Sequence, residues 1–328
     1  MKSYQFRDYG QPLEAIEAPT PEPAGSELLM RVDACGACHS DVHVWEGEYD
    51  MGGGRKLDVR TGRDLPFTLG HEIVGEVIAM GPDAEGAAIG DQRVIFPWIG
   101  CGACETCELG KEHLCLKTRA LGTFVQGGYS DHVIVPHARY LFDYGDVGAE
   151  LACTYACSGV TAFSAIRKVV DLRGTHIVIL GAGGVGLSAL RMAKALTDFE
   201  VIVVDVRQDA LDAATEAGAD HVVDASDQNA HRQIKSLSNG GVCAAIDCVG
   251  AAAPAKRLQA LGRLAEAGVP THCSVSPIIP AITDEFMEEI VQRAAALGVD
   301  SVGWIPLRLP HEVAPLFREW LSVHYPER

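Results

Sequence analysis

The sequence predicts two domains: an irregular, mostly-β half, then an α/β half built on a doubly wound parallel sheet. Three observations carry that fold class. The chain has 328 residues, more than one hydrophobic core usually organises. Residues 1–150 break into short β-rich runs between Gly- and Pro-rich turns. Residues 151–328 instead alternate strand-like and helix-like segments, the pattern of parallel strands covered on both faces.

The elements follow in order. "ELLMRVDACG", "HEIVGEVIAM", "DQRVIFPW" and "YSDHVIVP" are β-rich runs bounded by breakers. Between the first two, "GEYDMGGGRKLDVRTGRDLP" is polar and glycine-rich, and is expected to be a long, mobile loop. In the second half "GVTAFSAIRKVV" has helical spacing, and "THIVILGAGGVGLSALRMAKAL" reads as strand, turn and helix. "EVIVVDV", "DHVVDA" and "VCAAIDCVG" follow as short apolar strands between helical segments. The last stretch, 251–328, reads as an atypical αβαβα tail, in which His272-Cys273 fits a strand end better than a metal pair.

Composition removes several function classes. With 48% apolar and 22% charged residues, the chain can bury ordinary cores. A net charge of −17 disfavours phosphate backbones and anionic membranes as partners. The start, "MKSYQFRDYGQPLEAIEAP", has no apolar leader, and no apolar run is long enough to span a bilayer. A cytoplasmic location is expected. The 11 cysteines are odd in number, and six crowd into two short clusters, which points to metal rather than disulfides.

The downstream cluster has the spacing C-x2-C-x2-C-x7-C, formed by Cys101, Cys104, Cys107 and Cys115. Four thiolates saturate tetrahedral zinc, so this set predicts a closed, structural site. His113 is surplus to a full shell. The upstream cluster, "CGACHSDVH", lacks downstream thiols to complete it.

In the second half Gly181, Gly183 and Gly186 spell G-x-G-x-x-G between a strand and a helix, with Gly184 and Val185 completing the turn. The first glycine makes the turn, the second lets a pyrophosphate approach backbone N–H groups, and the third allows close helix–strand packing. A Rossmann-type nucleotide site is therefore expected. Asp205 ends the next strand, where a carboxylate can hold ribose hydroxyls and repel a 2′-phosphate, favouring NAD over NADP. Arg207, two residues on, blunts that inference. A plain strand-end cap is the other reading of Asp205.

The run "GHE-x2-G-x5-G-x2-A", from Gly70 to Ala84, resembles the signature of zinc-containing alcohol dehydrogenases of the medium-chain dehydrogenase/reductase family. "CGACHSD", the four-cysteine lobe and "GAGGVG" fall in that family's order. The resemblance covers about residues 1–250 and implies a GroES-like catalytic domain. It implies a catalytic zinc held by Cys38, His71 and Cys157, with Cys153 as a rival for the third place. A second zinc would sit in the lobe. Asp41 would accept the free N–H of His71, or else cap its own turn. Glu72 would lie behind the metal, or be an exposed strand-end carboxylate. Ser40 would take the substrate proton and pass it towards His43. His39 and Thr161 would approach the cofactor. Trp45 and Trp98 would line the substrate pocket, or simply pack a core.

After residue 250 that resemblance is lost: the strand introduced by Pro-Gly-Gly and the closing strands of the catalytic domain are not found. The end of the chain resembles instead the C-terminal part of radical SAM proteins related to spore photoproduct lyase, without any C-x3-C-x2-C cluster motif. The function implied is a zinc- and NAD-dependent alcohol dehydrogenase acting on a small primary, secondary or aromatic alcohol, working as a homo-oligomer (dimer or tetramer). The alternatives are a zinc-dependent polyol dehydrogenase or carbonyl reductase, and a catalytically silent zinc- and nucleotide-binding product of fusion or truncation.

Overall fold

The structure, a computed structural model, describes residues 1–52, 55–60, 62–249, 262, 266, 272–278, 292–299 and 301–306. The chain forms two compact units, Met1–Val160 and Thr161–Arg328. The division falls ten residues beyond the expected 150/151. The reason is packing: Ala152, Cys153 and Ala156 share a core cluster with Val74 and Val94 of the first unit.

The first unit runs β1 (Lys2–Phe6), β2 (Glu14–Glu17), β3 (Leu28–Gly36), α1 (His39–Glu46), β4 (Glu48–Gly52), β5 (Arg55–Asp58), β6 (Phe67–Thr68), β7 (Glu72–Met80), β8 (Gln92–Ile95), α2 (Glu105–Glu108), β9 (His132–Val135), β10 (Leu141–Phe142) and α3 (Ala149–Ala152). A five-stranded sheet has the order β10-β8-β7-β3-β9, all pairs antiparallel. Its inner face buries Leu28, Met30, Ile73, Val77, Ile95 and Val133. A three-stranded sheet, β2-β1-β6, lies in the same unit. The polar stretch after α1 is not the long loop expected. It forms an antiparallel hairpin in which Glu48 faces Asp58 and Tyr49 faces Leu57. Glycines mask this pairing in the sequence, because the strands they flank are only five and four residues long.

The second unit continues from α4 (Ser158–Arg167) through β11 (His176–Leu180), α5 (Gly184–Leu196), β12 (Glu200–Asp205), α6 (Gln208–Glu216), β13 (His221–Asp224), α7 (Ala230–Leu237), β14 (Ala244–Asp247), β15 (His272–Ile278) and β16 (Ser301–Pro306). Four parallel strands are ordered β13-β12-β11-β14, which is the 3-2-1-4 order of a doubly wound sheet. Strand periodicity sorts the faces. Ile177, Ile179, Val201 and Val203 pack with Ala189, Leu190 and Ala193 of α5. The alternate residues Val178, Ile202 and Val204 pack with Ile234 and Leu237 of α7. Beyond residue 250, β15 and β16 pair in parallel, His272 opposite Ser301. The outer helices expected in the tail, and most of the stretch likened to radical SAM proteins, lie outside the described residues.

Candidate active site

The sheet register gathers the upstream site. β3 and β7 pair with Gly36 opposite Glu72 and Cys35 opposite Ile73. The residue just before β7, His71, therefore lies close to the turn that follows β3. Cys38 in that turn is the N-cap of α1. Its N–H donates to Asp41 Oδ2 at 2.9 Å, which fixes the start of the helix. Cys157 follows the 3-10 turn Cys153–Ala156, and that turn is held against β7 and β8 by the cluster already named. The donor atoms of Cys38, His71 and Cys157 lie within 4.8 Å of one another. The two sulfurs are 4.0 Å apart, close to the roughly 3.8 Å that tetrahedral zinc with Zn–S bonds of about 2.3 Å imposes. Cys153 takes no part: its thiol donates to the Glu150 carbonyl at 3.3 Å.

The imidazole is prepared to be a ligand. His71 is 1% exposed, and its Nδ1 donates to Asp41 Oδ1 at 2.9 Å. That leaves Nε2 buried and without a hydrogen-bond partner among the described residues. A carboxylate behind one nitrogen fixes the tautomer and raises the basicity of the other. The Cys157 thiol beside it, with His71 and Ser40 nearby, holds the Cys38 pKa down to about 4 despite burial. Burial pushes His71 down, but Asp41 and the Cys38 sulfur prevail and hold it up at about 10. The Cys157 thiol is raised, first by its hydrogen bond to Cys38 and then by burial. Two sulfurs and one imidazole nitrogen gathered within 4.8 Å of one another are a donor set that fits zinc.

Glu72 is buried, not exposed. Its Oε1 accepts from the Ser158 N–H at 3.1 Å and from the Ser158 hydroxyl at 2.7 Å. Burial raises its pKa against those hydrogen bonds. A Cβ at Gly36 would lie 2.2 Å from Glu72 Oε2 and 3.1 Å from the Glu72 Cβ, so the carboxylate would have to shift to admit one. Sequence reasoning missed Ser158 and Gly36, although each adjoins a recognised motif.

Helix α1 carries the remaining polar candidates. Ser40 is half-buried and is among the groups that hold the Cys38 pKa down. The His39 and His43 rings lie with centroids 4.6 Å apart, tilted by 56°, and His43 Nδ1 lies 3.8 Å from Glu46 Oε2. The two tryptophans part company. The Trp98 ring lies 5.6 Å from that of His71, and its N–H donates to the Ala156 carbonyl at 3.1 Å. Trp45 is half-buried, packs against Phe6, Val44, Phe67 and Leu69, and donates to the Gln11 carbonyl at 2.6 Å.

The lobe closes as its spacing suggests. Cys101, Cys104, Cys107 and Cys115 bring four sulfurs within 4.8 Å of one another. Sulfur separations of 3.9 Å for Cys101–Cys107 and 3.8 Å for Cys104–Cys115 again match a tetrahedral ion. His113 is exposed.

In the second unit the glycine turn has its expected form. Gly181 has φ +92° and donates to the Val204 carbonyl at 2.7 Å. A Cβ at Gly186 would lie 1.8 Å from the Gly181 carbonyl oxygen, whereas one at Gly183 or Gly184 meets nothing within 4 Å. The first constraint belongs to the fold, and the open space suits a bound pyrophosphate. Val185 is half-buried and packs against the α5 side of the sheet. Asp205 Oδ2 accepts the Ala182 N–H at 2.8 Å, and Oδ1 accepts those of Val206 and Arg207 at 2.8 and 3.0 Å. The carboxylate thus braces the glycine turn and caps its own strand end. Arg207 is paired with Asp209. Thr161 is an exposed residue of α4.

Comparisons with known proteins agree with this architecture. The family model of the alcohol dehydrogenase GroES-like domain matches residues 24–144, and that of the zinc-binding dehydrogenase matches residues 184–298. The second match carries the likeness past residue 250, into the segment that sequence reading set apart. An NAD-dependent alcohol dehydrogenase of Sulfurisphaera tokodaii is 40% identical over 249 residues, 75% of this chain and 71% of that one. An alcohol dehydrogenase of Rhizobium meliloti is 31% identical over 307 residues, 91% of this chain and 84% of that one. The solved alcohol dehydrogenase of Aeropyrum pernix superposes with a TM-score of 0.69 at 25% identity, covering 98% of this chain and 90% of that one. By both sequence and architecture the chain belongs to the zinc-binding alcohol dehydrogenase family.

Proposed function

We propose that the protein is a zinc- and NAD-dependent alcohol dehydrogenase, interconverting a small primary, secondary or aromatic alcohol with its aldehyde or ketone. The observation that carries this reading is the three-donor set of Cys38, His71 and Cys157. Two thiolates and one imidazole leave one corner of a tetrahedral ion for water or substrate, whereas the four-thiolate lobe leaves none. Two zincs per chain follow, one catalytic and one structural. Bound in the open site, zinc supplies Lewis acidity that lowers the pKa of an alcohol hydroxyl, and NAD is the hydride acceptor.

The residues divide the remaining work. Asp41 holds the His71 ring so that Nε2 points at the ion. Ser40 takes the hydroxyl proton as it releases its own, which His43, one turn along the same helix, passes on to solvent. Glu72, anchored by Ser158, places a carboxylate behind the ligands. Trp98 supplies an apolar wall beside His71 that favours flat or small substrates. The open glycine turn at Gly183 and Gly184 receives the cofactor pyrophosphate, and the lone pair that Asp205 keeps free on Oδ2 meets the adenosine ribose. The relatives named as NAD-dependent support that cofactor.

The reading extends to a homo-oligomer of two or four chains in the cytoplasm. Among the described residues no helix is long and apolar enough to cross a membrane.

The test is NADH formation from a panel of primary, secondary and aromatic alcohols by zinc-loaded protein. Turnover with at least one of them is expected. Tight NADH binding without turnover of any member would select the catalytically silent protein.

A further inference from the structure

We propose that Tyr129 is a positioning residue of the Cys38–His71–Cys157 site, acting on the imidazole through Asp41. The inference rests on the zinc reading of that site. Asp41 is 4% exposed, and its two oxygens take four donors. The Cys38 N–H and the Tyr129 hydroxyl donate to Oδ2 at 2.9 and 3.1 Å. His71 Nδ1 and the Gly70 N–H meet Oδ1 at 2.9 and 3.2 Å. A carboxylate offers about four lone-pair sites, so each oxygen is saturated.

Three of these donors belong to the ligands themselves or to the residue next to one. They shift whenever the ligand segments shift, and so cannot hold the carboxylate still. The Tyr129 hydroxyl comes from a different stretch of chain, just before β9. Its backbone is anchored outside the ligand segments on β1, where its carbonyl accepts from the Tyr4 N–H at 2.8 Å, while its N–H donates to the Leu69 carbonyl at 2.9 Å beside Gly70. Burial, with Asp41 beside it, keeps the phenol protonated and therefore a donor. Tyr129 thus supplies an external reference for Asp41, and through it for the plane of the His71 ring. Groups behind a metal-bound histidine typically govern metal retention by 10–100-fold.

The test compares wild type with Tyr129→Phe, which keeps the ring and removes only the donor. Full-length protein loaded with zinc is mixed with excess chromogenic chelator, and release from the open site and the lobe is resolved as two phases. Exchange of the His71 Nδ1 proton is followed by NMR on the loaded protein. Open-site zinc should leave about tenfold faster in Tyr129→Phe, with lobe release unchanged and the Nδ1 proton exchanging at least tenfold faster. Unchanged open-site release, unchanged exchange, or equal acceleration of both phases would overturn the inference. Wild type that holds only the lobe zinc would instead overturn the reading of the site on which the inference stands.

Discussion

His71 keeps Nε2 buried with no hydrogen-bond partner among the described residues, and a lost partner at a buried nitrogen costs about 1–3 kcal/mol. The fold carries that cost where two sulfurs stand within ligand range. The proton inventory makes the arrangement testable. In the ion-free site Cys38 is a thiolate above about pH 4, and His71 is charged below about pH 10. Cys157 stays protonated, its pKa being raised. Binding of zinc between about pH 5 and 8 should therefore release two protons, from His71 and Cys157. The logarithm of the zinc association constant should rise with pH with a slope of about two, measured with buffered zinc. A slope near one would show that His71 is already neutral in the ion-free protein. The four lobe cysteines were legible in their spacing, and the Cys38, His71 and Cys157 set only through the family resemblance; the structure gathers both sets. Gly36 and Ser158 were not legible, because their roles arise from the β3–β7 register and from a helix start 86 residues away from Glu72 in sequence. Gly36→Ala should push Glu72 off its Ser158 contacts. It should lower the thermal midpoint by several degrees, as overpacking by one methyl against a buried group costs roughly 1–3 kcal/mol.

At the scale of elements, the strand–turn–helix of β11 and α5 separates folding from binding. Gly186 faces the Gly181 carbonyl oxygen across a gap with no room for a Cβ, whereas Gly183 faces open space. Gly186→Ala should lower the thermal midpoint by roughly 5–10 °C and reduce soluble yield. Gly183→Ala, with φ −81° already acceptable to alanine, should leave that midpoint within about 2 °C. It should nonetheless weaken NADH binding in a fluorescence titration by about tenfold or more. Equal loss of stability in both variants would contradict the division. Regular elements were readable because periodicity and β-branched runs are local, as in "THIVIL" and "EVIVVDV". The β4–β5 hairpin was missed because Gly52 and its neighbours look like a loop, and only cross-strand pairing reveals the ladder. Trp45 was ambiguous for the same reason: spacing alone cannot tell a pocket wall from a core ring, and its packing partners come from β1 and β6.

For the molecule as a whole, a closed and an open cysteine site in one unit should respond differently to metal removal. The lobe sulfurs converge from residues 101–115, so an ion held there would tie that segment together, and Cys104→Ser should lower the thermal midpoint by about 5 °C or more while the open site still fills. The division into a β-rich and a parallel α/β unit was legible from texture alone. The position of the boundary was not, because the turn carrying Cys157 is helical in sequence yet packs on β7 and β8. The account as a whole depends on the open site, and zinc content per chain tests it most directly. Fully loaded wild type should contain two zincs and Cys38→Ser one, with the lobe ion retained and alcohol turnover lost. A single zinc in wild type, or two in Cys38→Ser with undiminished turnover, would contradict the account.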